Sequence, residues 1–235
     1  MKLFKIVLDF HTYGFTASYE RGYDIGNIAY PSPYIHNYSL IYGFNSMGTE
    51  YIIYKNQKLY QFVDNKIKKG EPIYSLPATS NNFKLRAFFY STKSESMVER
   101  KKKPQKVYPS SGKYFYFAPL SMFETYVVAE NSMDIPPIIR FGKKREGLLY
   151  VKEKKECEYD VINGKYQVSF PFNPHDISGA ANIISKKVLF KIKGDKSYSN
   201  MDALEVAIGE VEGNCIFEKN TSRYLLLPKS YINKL

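Results

Sequence analysis

Phe4-Lys5-Ile6-Val7-Leu8-Asp9-Phe10-His11 (FKIVLDFH) sets how the rest of the chain is read. Phe4, Ile6, Leu8 and Phe10 fall on one side of an extended backbone, while Lys5, Asp9 and His11, with Val7, fall on the other. Successive side chains of a strand point to opposite faces, so this period of two predicts a half-buried β-strand. Runs of similar chemistry follow at Tyr51-Ile52-Ile53-Tyr54, Lys58-Leu59-Tyr60-Gln61-Phe62-Val63, Leu85-Arg86-Ala87-Phe88-Phe89-Tyr90, Lys113-Tyr114-Phe115-Tyr116-Phe117, Thr125-Tyr126-Val127-Val128 and Leu148-Leu149-Tyr150-Val151. Aromatic and β-branched residues suit a pleated, half-buried surface, so sheet dominates. Asn163-Gly164 lies between Cys157-Glu158-Tyr159-Asp160-Val161 and Tyr166-Gln167-Val168-Ser169-Phe170. A type I′ turn needs positive φ at both central residues, so this dipeptide predicts a hairpin.

Between the strands the punctuation changes. Gly14 to Pro33 carries Gly22, Gly26, Pro31 and Pro33 and is expected to be a long loop. In Tyr34-Ile35-His36-Asn37-Tyr38-Ser39-Leu40-Ile41-Tyr42-Gly43, apolar residues recur every three to four positions and Gly43 supplies a stop, predicting a short helix whose stripe leaves His36 and Asn37 facing away. Ser91 to Gly112, centred on Glu99-Arg100-Lys101-Lys102-Lys103-Pro104, is poor in apolar residues and expected to be a mobile basic insertion at 91–112. Neither an internal repeat nor a composition break divides the chain, so one domain over 1–235 is expected.

The chain has 34 Lys and Arg against 23 Asp and Glu, a formal charge of +11 that attracts polyanions, nucleic acid first among them. Its 22 Tyr and 16 Phe serve equally as a β-rich core or as stacking platforms for unpaired bases. Cys157 and Cys215 lack CxxC spacing, which indicates neither a disulfide scaffold nor a zinc site and fits a reducing cytoplasm. With no signal-peptide pattern and no long apolar window, a soluble intracellular protein without a membrane partner is expected.

GxxxxGK[ST], GxGxxG and GxSxG are absent, and His11, His36 and His175 show no ligand spacing, so neither a metal nor another cofactor is expected. Metal-free RNA cleavage needs only a base and an electrostatic stabiliser, for which His11 and His36 are the candidates. As isolated histidines they equally serve as hydrogen-bonding residues. Basic groups cluster at Lys66, Lys68 and Lys69; Arg100 to Lys103; Lys143, Lys144 and Arg145; Lys152, Lys154 and Lys155; and Lys186 with Lys187. Singly each is a solvated face; together, interleaved with aromatics, they suit a groove tracking a single-stranded backbone. In Arg140-Phe141-Gly142-Lys143-Lys144 a glycine lets backbone approach a phosphate between cations, or simply makes a turn.

Several segments occur in a telling order: Glu20-Arg21-Gly22, His36-Asn37-Tyr38-Ser39-Leu40, Pro72-Ile73-Tyr74-Ser75-Leu76-Pro77-Ala78, Pro136-Pro137-Ile138-Ile139-Arg140-Phe141-Gly142-Lys143 and Asn173-Pro174-His175-Asp176. Over most of its length, more weakly from Lys186 onward, the chain resembles the small Csc-one subunit of type I-D CRISPR effector complexes, a divergent Cas-five member of the RAMP proteins. The resemblance implies an α+β fold with a ferredoxin-like, RNA-recognition-motif core (β-α-β-β-α-β), enlarged by β-rich insertions, its first helix containing His36. It also implies a non-catalytic subunit that caps the 5′ handle of crRNA, contacts the large subunit and the Csc-two backbone subunit, and helps hold target DNA near the protospacer-adjacent motif. Arg21, His36, Asn37, Tyr38, Arg140, Gly142, Lys143, Lys144 and Arg145 are then the candidate RNA contacts. The Arg100, Lys101, Lys102, Lys103 loop is a candidate nucleic-acid-facing arm, inferred from its charge. Some Cas-five relatives cleave precursor crRNA, but no His, Tyr and Lys constellation for that is placed here. A metal-independent endoribonuclease and a basic scaffold binding only protein are the alternatives. The Lys-, Ile- and Tyr-rich composition fits a thermophilic archaeal source.

Overall fold

The computed structural model describes residues 1–14, 18–23, 26–45, 66–91, 111–141, 147–177, 179–191 and 205–235. The expected strands at 51–54 and 58–63, most of the 91–112 insertion with Arg100 to Lys103, and Gly142 to Arg145 lie outside them. The chain is mostly β, with antiparallel pairing throughout except between the third and eighth strands.

A central sheet carries β1 (Lys2–Phe10), β4 (Tyr34–Ile35), β5 (Tyr74–Ser75), β6 (Ala78–Asn82), β9 (Met122–Ala129), β10 (Ile138–Phe141) and β11 (Gly147–Glu156), in the order β10-β11-β1-β9-β6-β4 with β5 also on β9. A second sheet is β2 (Ser18–Tyr23), β3 (Gly26–Pro31), β8 (Ser111–Phe117) and β7 (Leu85–Ser91), in the order β2-β3-β8-β7. A third is β12 (Tyr159–Phe172), β14 (Glu205–Glu218) and β13 (Ala181–Lys191), with β15 (Arg223–Leu225) also on β14. Helix α1 (Asn37–Phe44) precedes β5, and a final turn, α2 (Lys229–Ile232), follows β15.

The alternation in FKIVLDFH is realised by β1. Phe4, Ile6, Leu8 and Phe10 are buried in one core with Leu40 and Phe44 of α1 and with Phe123, Val127, Ile139, Phe141, Leu149 and Val151. On the opposite face Leu3 joins Tyr126 and Val128 in a second core with Phe170, Ile216 and Leu225, so the third sheet covers this end of the central one. At the other end of β1, Phe10 packs its ring against Phe117, Phe123 and Phe141 at centroid distances of 5.1, 5.6 and 5.7 Å. Phe117 closes β8, so this aromatic hub ties the second sheet to the first.

Three local expectations are corrected. Gly14 to Pro33 is not a long loop: β2 and β3 pair from Ser18↔Pro31 to Tyr23↔Gly26, and Arg21 lies on β2 opposite Ile28. Its tyrosines suit a strand, and that preference outweighs the two glycines. Helix α1 does not stop at Gly43; it runs to Phe44 and is closed by Asn45, whose Nδ2 donates to Ile41 O and Ile73 O and whose Oδ1 accepts from Ile73 N. Gly43 instead permits close packing, because a Cβ there would lie 3.0 Å from Ile139 Cδ1. Asn163-Gly164 is not a turn: both residues lie mid-strand in β12, opposite Asn214 and Gly213 of β14. The Tyr166 hydroxyl donates to Asn163 O, and its ring lies close over the bare Gly164 backbone.

These placements separate two glycines. A Cβ on Gly164 meets only the end of the Tyr166 side chain, which can swing aside, whereas one on Gly209 would lie 2.1 Å from the Ser185 carbonyl oxygen of the paired strand β13. Gly209→Ala is therefore expected to cost roughly 1–3 kcal/mol in urea unfolding, and Gly164→Ala under about 1 kcal/mol. Equal losses would contradict the register.

Candidate nucleic-acid interface

Three of the short motifs meet around one buried carboxylate. Asp176 accepts from Asn37 Nδ2 (2.5 Å), Tyr38 Oη (2.7 Å) and Tyr74 Oη (3.0 Å). Asn173 Nδ2 donates to Asn37 Oδ1 at 3.2 Å, and Asn173 Oδ1 accepts from His175 N. The Tyr74 ring packs on Tyr231, whose hydroxyl donates to Pro72 O. Burial pushes the Asp176 carboxyl up to about 6, against the pull of its donors.

His36 and Asn37 do not face away from the helix stripe: both are buried, as is Tyr38. A pattern of apolar spacing assigns polar residues outward, but here a carboxylate 139 residues away supplies the partner that lets Asn37 turn in. His36 stands just before α1 rather than within it. It caps the helix, Nδ1 accepting from Tyr38 N at 3.2 Å, the role that Asn or Asp usually takes. Its Nε2 is sealed from solvent without a partner among the described residues, and desolvation lowers its pKa to about 3. A neutral ring whose outer nitrogen no substrate can reach does not meet the geometric requirement for a general base.

Among the described residues, aromatic rings and cations are accessible together on two surfaces. On the second sheet, Phe88 and Phe89 are 45% and 78% exposed and point to opposite faces. Phe88 contacts Tyr116 at 4.9 Å and Tyr13 at 5.4 Å, with exposed Arg86 on the same face opposite Tyr116. Across the sheet, Lys113 Nζ lies 4.9 Å from the Phe89 centroid and 4.8 Å from that of Phe115. Both faces thus offer aromatic rings beside a cation, the combination that binds stacked bases and phosphate together.

The other surface is the open half of the central sheet's outer face. Its inner boundary is ionic: Glu124 Oε2 pairs with Lys5 Nζ at 3.2 Å and Oε1 with Arg223 Nη1 at 2.6 Å. Burial opposes the Glu124 charge, yet Arg223 and Lys5 hold its pKa below the ordinary value. Beyond this boundary stand exposed Ile138 and Arg140 of β10 and Tyr150 and Lys152 of β11.

Of the candidate RNA contacts, Arg140 is exposed on the edge strand β10, and Arg21 lies on β2 of the aromatic sheet. The side chains of Asn37 and Tyr38 are engaged internally, both donating to Asp176. Among the other basic clusters, Lys186 pairs with Glu205 at 2.5 Å and Lys154 Nζ donates to Ser132 O and Ile135 O. Charge clustering had no means of separating such engaged cations from Lys113, whose significance rests on its cross-strand partner Phe89. Asp176 was visible in sequence only as part of a motif.

The family model described as "Type I-D CRISPR-associated protein Cas5/Csc1" matches residues 1–203. No curated protein matches the chain. Among solved structures, a CRISPR protein from Archaeoglobus fulgidus is similar at 11% identity, covering 97% of this chain and 100% of the other with a TM-score of 0.41. No helix among the described residues is long and apolar enough to cross a membrane.

Removing the buried acceptor strands its donors, so Asp176→Ala is expected to lose roughly 3–5 kcal/mol of unfolding free energy. A loss below about 1 kcal/mol in urea titration would show the network to be dispensable. His36 contributes in the opposite sense to a salt-bridged base. Its folded pKa of about 3 lies below the ordinary histidine value of 6.5, so the unfolded chain takes up protons first and stability falls as pH drops from 6.5 toward 3. Asp176, raised from 3.8 to about 6, opposes this by favouring the folded state at the acid end of that window. His36→Asn keeps a capping acceptor and removes the histidine's share, so its thermal midpoint should gain on the wild type steadily from pH 7 to pH 4. A constant offset over that range would contradict burial of the neutral ring.

Proposed function

The chain belongs to the type I-D CRISPR-associated Cas5/Csc1 family, and from that premise we propose that it is a crRNA-binding subunit of the effector complex which holds the 5′ handle without cutting it. The observation that carries this is the two-faced aromatic sheet, with exposed Phe88 and Phe89 beside Arg86 and Lys113. Exposed rings next to cations have little use in a free monomer but match a single strand, whose bases stack on rings while its phosphates meet cations. A net charge of +11 gives the same preference over longer range.

A ferredoxin-like core fits the strand order. In a βαββαβ unit with antiparallel neighbours the first strand lies between the last and the third, as β1 does here between β11 and β9, with β6 next to β9. Helix α1 makes the first crossover; the second helix is replaced by a 3-10 turn at Ser132–Asp134. The exposed edge strand β10 and the basic 100–103 segment are left for the large subunit, the Csc-two backbone subunit and target DNA near the protospacer-adjacent motif. Guide pairing reads sequence in such assemblies, and protein holds backbone and shape. Non-catalysis is supported by the sealed Nε2 of His36, which leaves exposed His11 as the remaining base for an endoribonuclease reading. On this reading the chain works in the cytoplasm with its RNA.

The test is retention of crRNA with and without its 5′ handle by the full chain in EDTA at two salt concentrations, with fragments scored on the same samples. Handle-dependent retention without fragments is expected, weakening with salt by a log–log slope of roughly −0.7 per neutralised phosphate. Phe89→Ala should weaken it by the roughly 1–3 kcal/mol of one stacked base. A discrete cut abolished by His11→Ala would make the chain a nuclease, and indifference to the handle would make it a protein-binding scaffold.

A further inference from the structure

The open half of the central sheet's outer face holds two polar groups that are poorly partnered and do not pair with each other. Asp9 lies directly between Tyr150 of β11 and Met122 of β9, being the register partner of both. Its Oδ1 is buried and has no hydrogen-bond partner among the described residues. Lys152 is the next residue beyond Tyr150 on this side of β11, where the register shifts beside Val7 and Leu8. Its Nζ reaches across to Met122 Sδ at 3.8 Å, and a thioether is a weak acceptor for an ammonium. A carboxylate short of a donor and a cation short of an anion thus flank the half-exposed ring of Tyr150.

We propose that this surface is a nucleotide site selective for guanine, a deepening that rests on the chain's being an RNA-binding subunit. Residues directly opposite on one face have Cβ atoms about 4.5–5.5 Å apart, so a base lying on the Tyr150 ring brings its edge over Asp9. Asp9 Oδ1 has no partner among the described residues holding it in its buried position, so the side chain turns outward to the base, and guanine alone then presents two adjacent donors, the N1–H and the N2 amine, to its two oxygens. Adenine and cytosine set their amine beside an acceptor nitrogen, which repels the second oxygen, and uracil sets its single N–H between two carbonyls. The ammonium of Lys152 exchanges the Met122 sulfur for the nucleotide's phosphate, a far stronger acceptor. Arg140, diagonal to Tyr150 on β10, takes the next phosphate of a strand running toward the sheet edge.

The full chain is titrated with GMP, AMP, CMP and UMP by amide chemical-shift perturbation. In parallel, short single-stranded RNAs identical but for one G, A, C, U or inosine are titrated by fluorescence anisotropy. GMP is expected to bind at least about tenfold more tightly than the others, since a mismatched edge leaves a buried polar group unpaired. Asp9→Asn should erase the preference, weakening GMP and strengthening AMP and CMP, whose amine and ring nitrogen then meet an acceptor and a donor; Lys152→Met should weaken all four alike; inosine should fall between G and A. Shifts confined to Tyr150, Asp9 and Lys152 would support the site even if RNA carrying a handle is not retained, in which case the RNA-capping function alone fails. RNA binding without base preference, or a preference that survives Asp9→Asn in a variant with wild-type amide dispersion, overturns the guanine site and leaves RNA binding intact. If Asp9→Asn does not fold, Tyr150→Leu serves instead and must lose the GMP shifts.

Discussion

Asp176 is the group on which the arrangement depends. A buried carboxylate is tolerated only where donors converge on it, and here they come from the start of α1 and from β5, while Asn173 beside it after β12 holds Asn37 in place. Satisfying this one residue brings the segments at 37–38, 74 and 173–176 together. It thereby fixes the helix against the central sheet and the chain leaving β12 against both. Asn45 and Tyr231 extend the same fastening through Ile73 and Pro72, so the stretch from 72 to 76 is held on several sides. Three of the five motifs that carried the family resemblance, at 36–40, 72–78 and 173–176, are parts of this joint.

Assigning those motifs to structure moves function elsewhere. His36 caps α1, and Asn37 and Tyr38 hold Asp176, so the side chains of the segment that looks most like a site are engaged within the fold. What remains is surface chemistry: rings and cations on the second sheet, and the half of the central sheet's outer face left uncovered. Both match a polymer with flat bases and regular charge, and many modest contacts of this sort hold a strand firmly without chemistry.

What could be read from sequence was whatever depended on neighbours in the chain. The strand at Phe4 to Phe10 was legible because its alternation is itself the cause of its burial, and the helix after Pro33 because its apolar spacing is too. Long-range pairing defeated the rest. Asn37 points inward only because Asp176 awaits it, and Asn163-Gly164 stays extended because Gly213 lies opposite and Tyr166 leans over it. The hairpin of β2 and β3 was hidden by glycines that mark a turn in isolation but are tolerated within a paired ribbon. For the site, aromatic content left a β-rich core and a stacking surface equally open, and the pairing of Phe89 with Lys113 and of Asp9 with Tyr150 exists only through strand register. Arg140 stood out in sequence for the glycine near it, whereas its place on the edge strand β10 follows from pairing with β11.

The two accessible surfaces share a rigid base. Phe10 ends β1 at a hub whose other members close β8, begin β9 and end β10. Asp9 is the residue before it, and Phe117 leads directly into the sheet that carries Phe88 and Phe89. Core packing of this density transmits position instead of absorbing it, so the surfaces keep a set relation to each other. A strand engaged on the aromatic sheet would therefore present its next nucleotides to the outer face at high effective concentration, and weak recognition at each becomes firm when both are occupied. Loosening the hub, rather than deleting a contact at either surface, is then the change that would uncouple them.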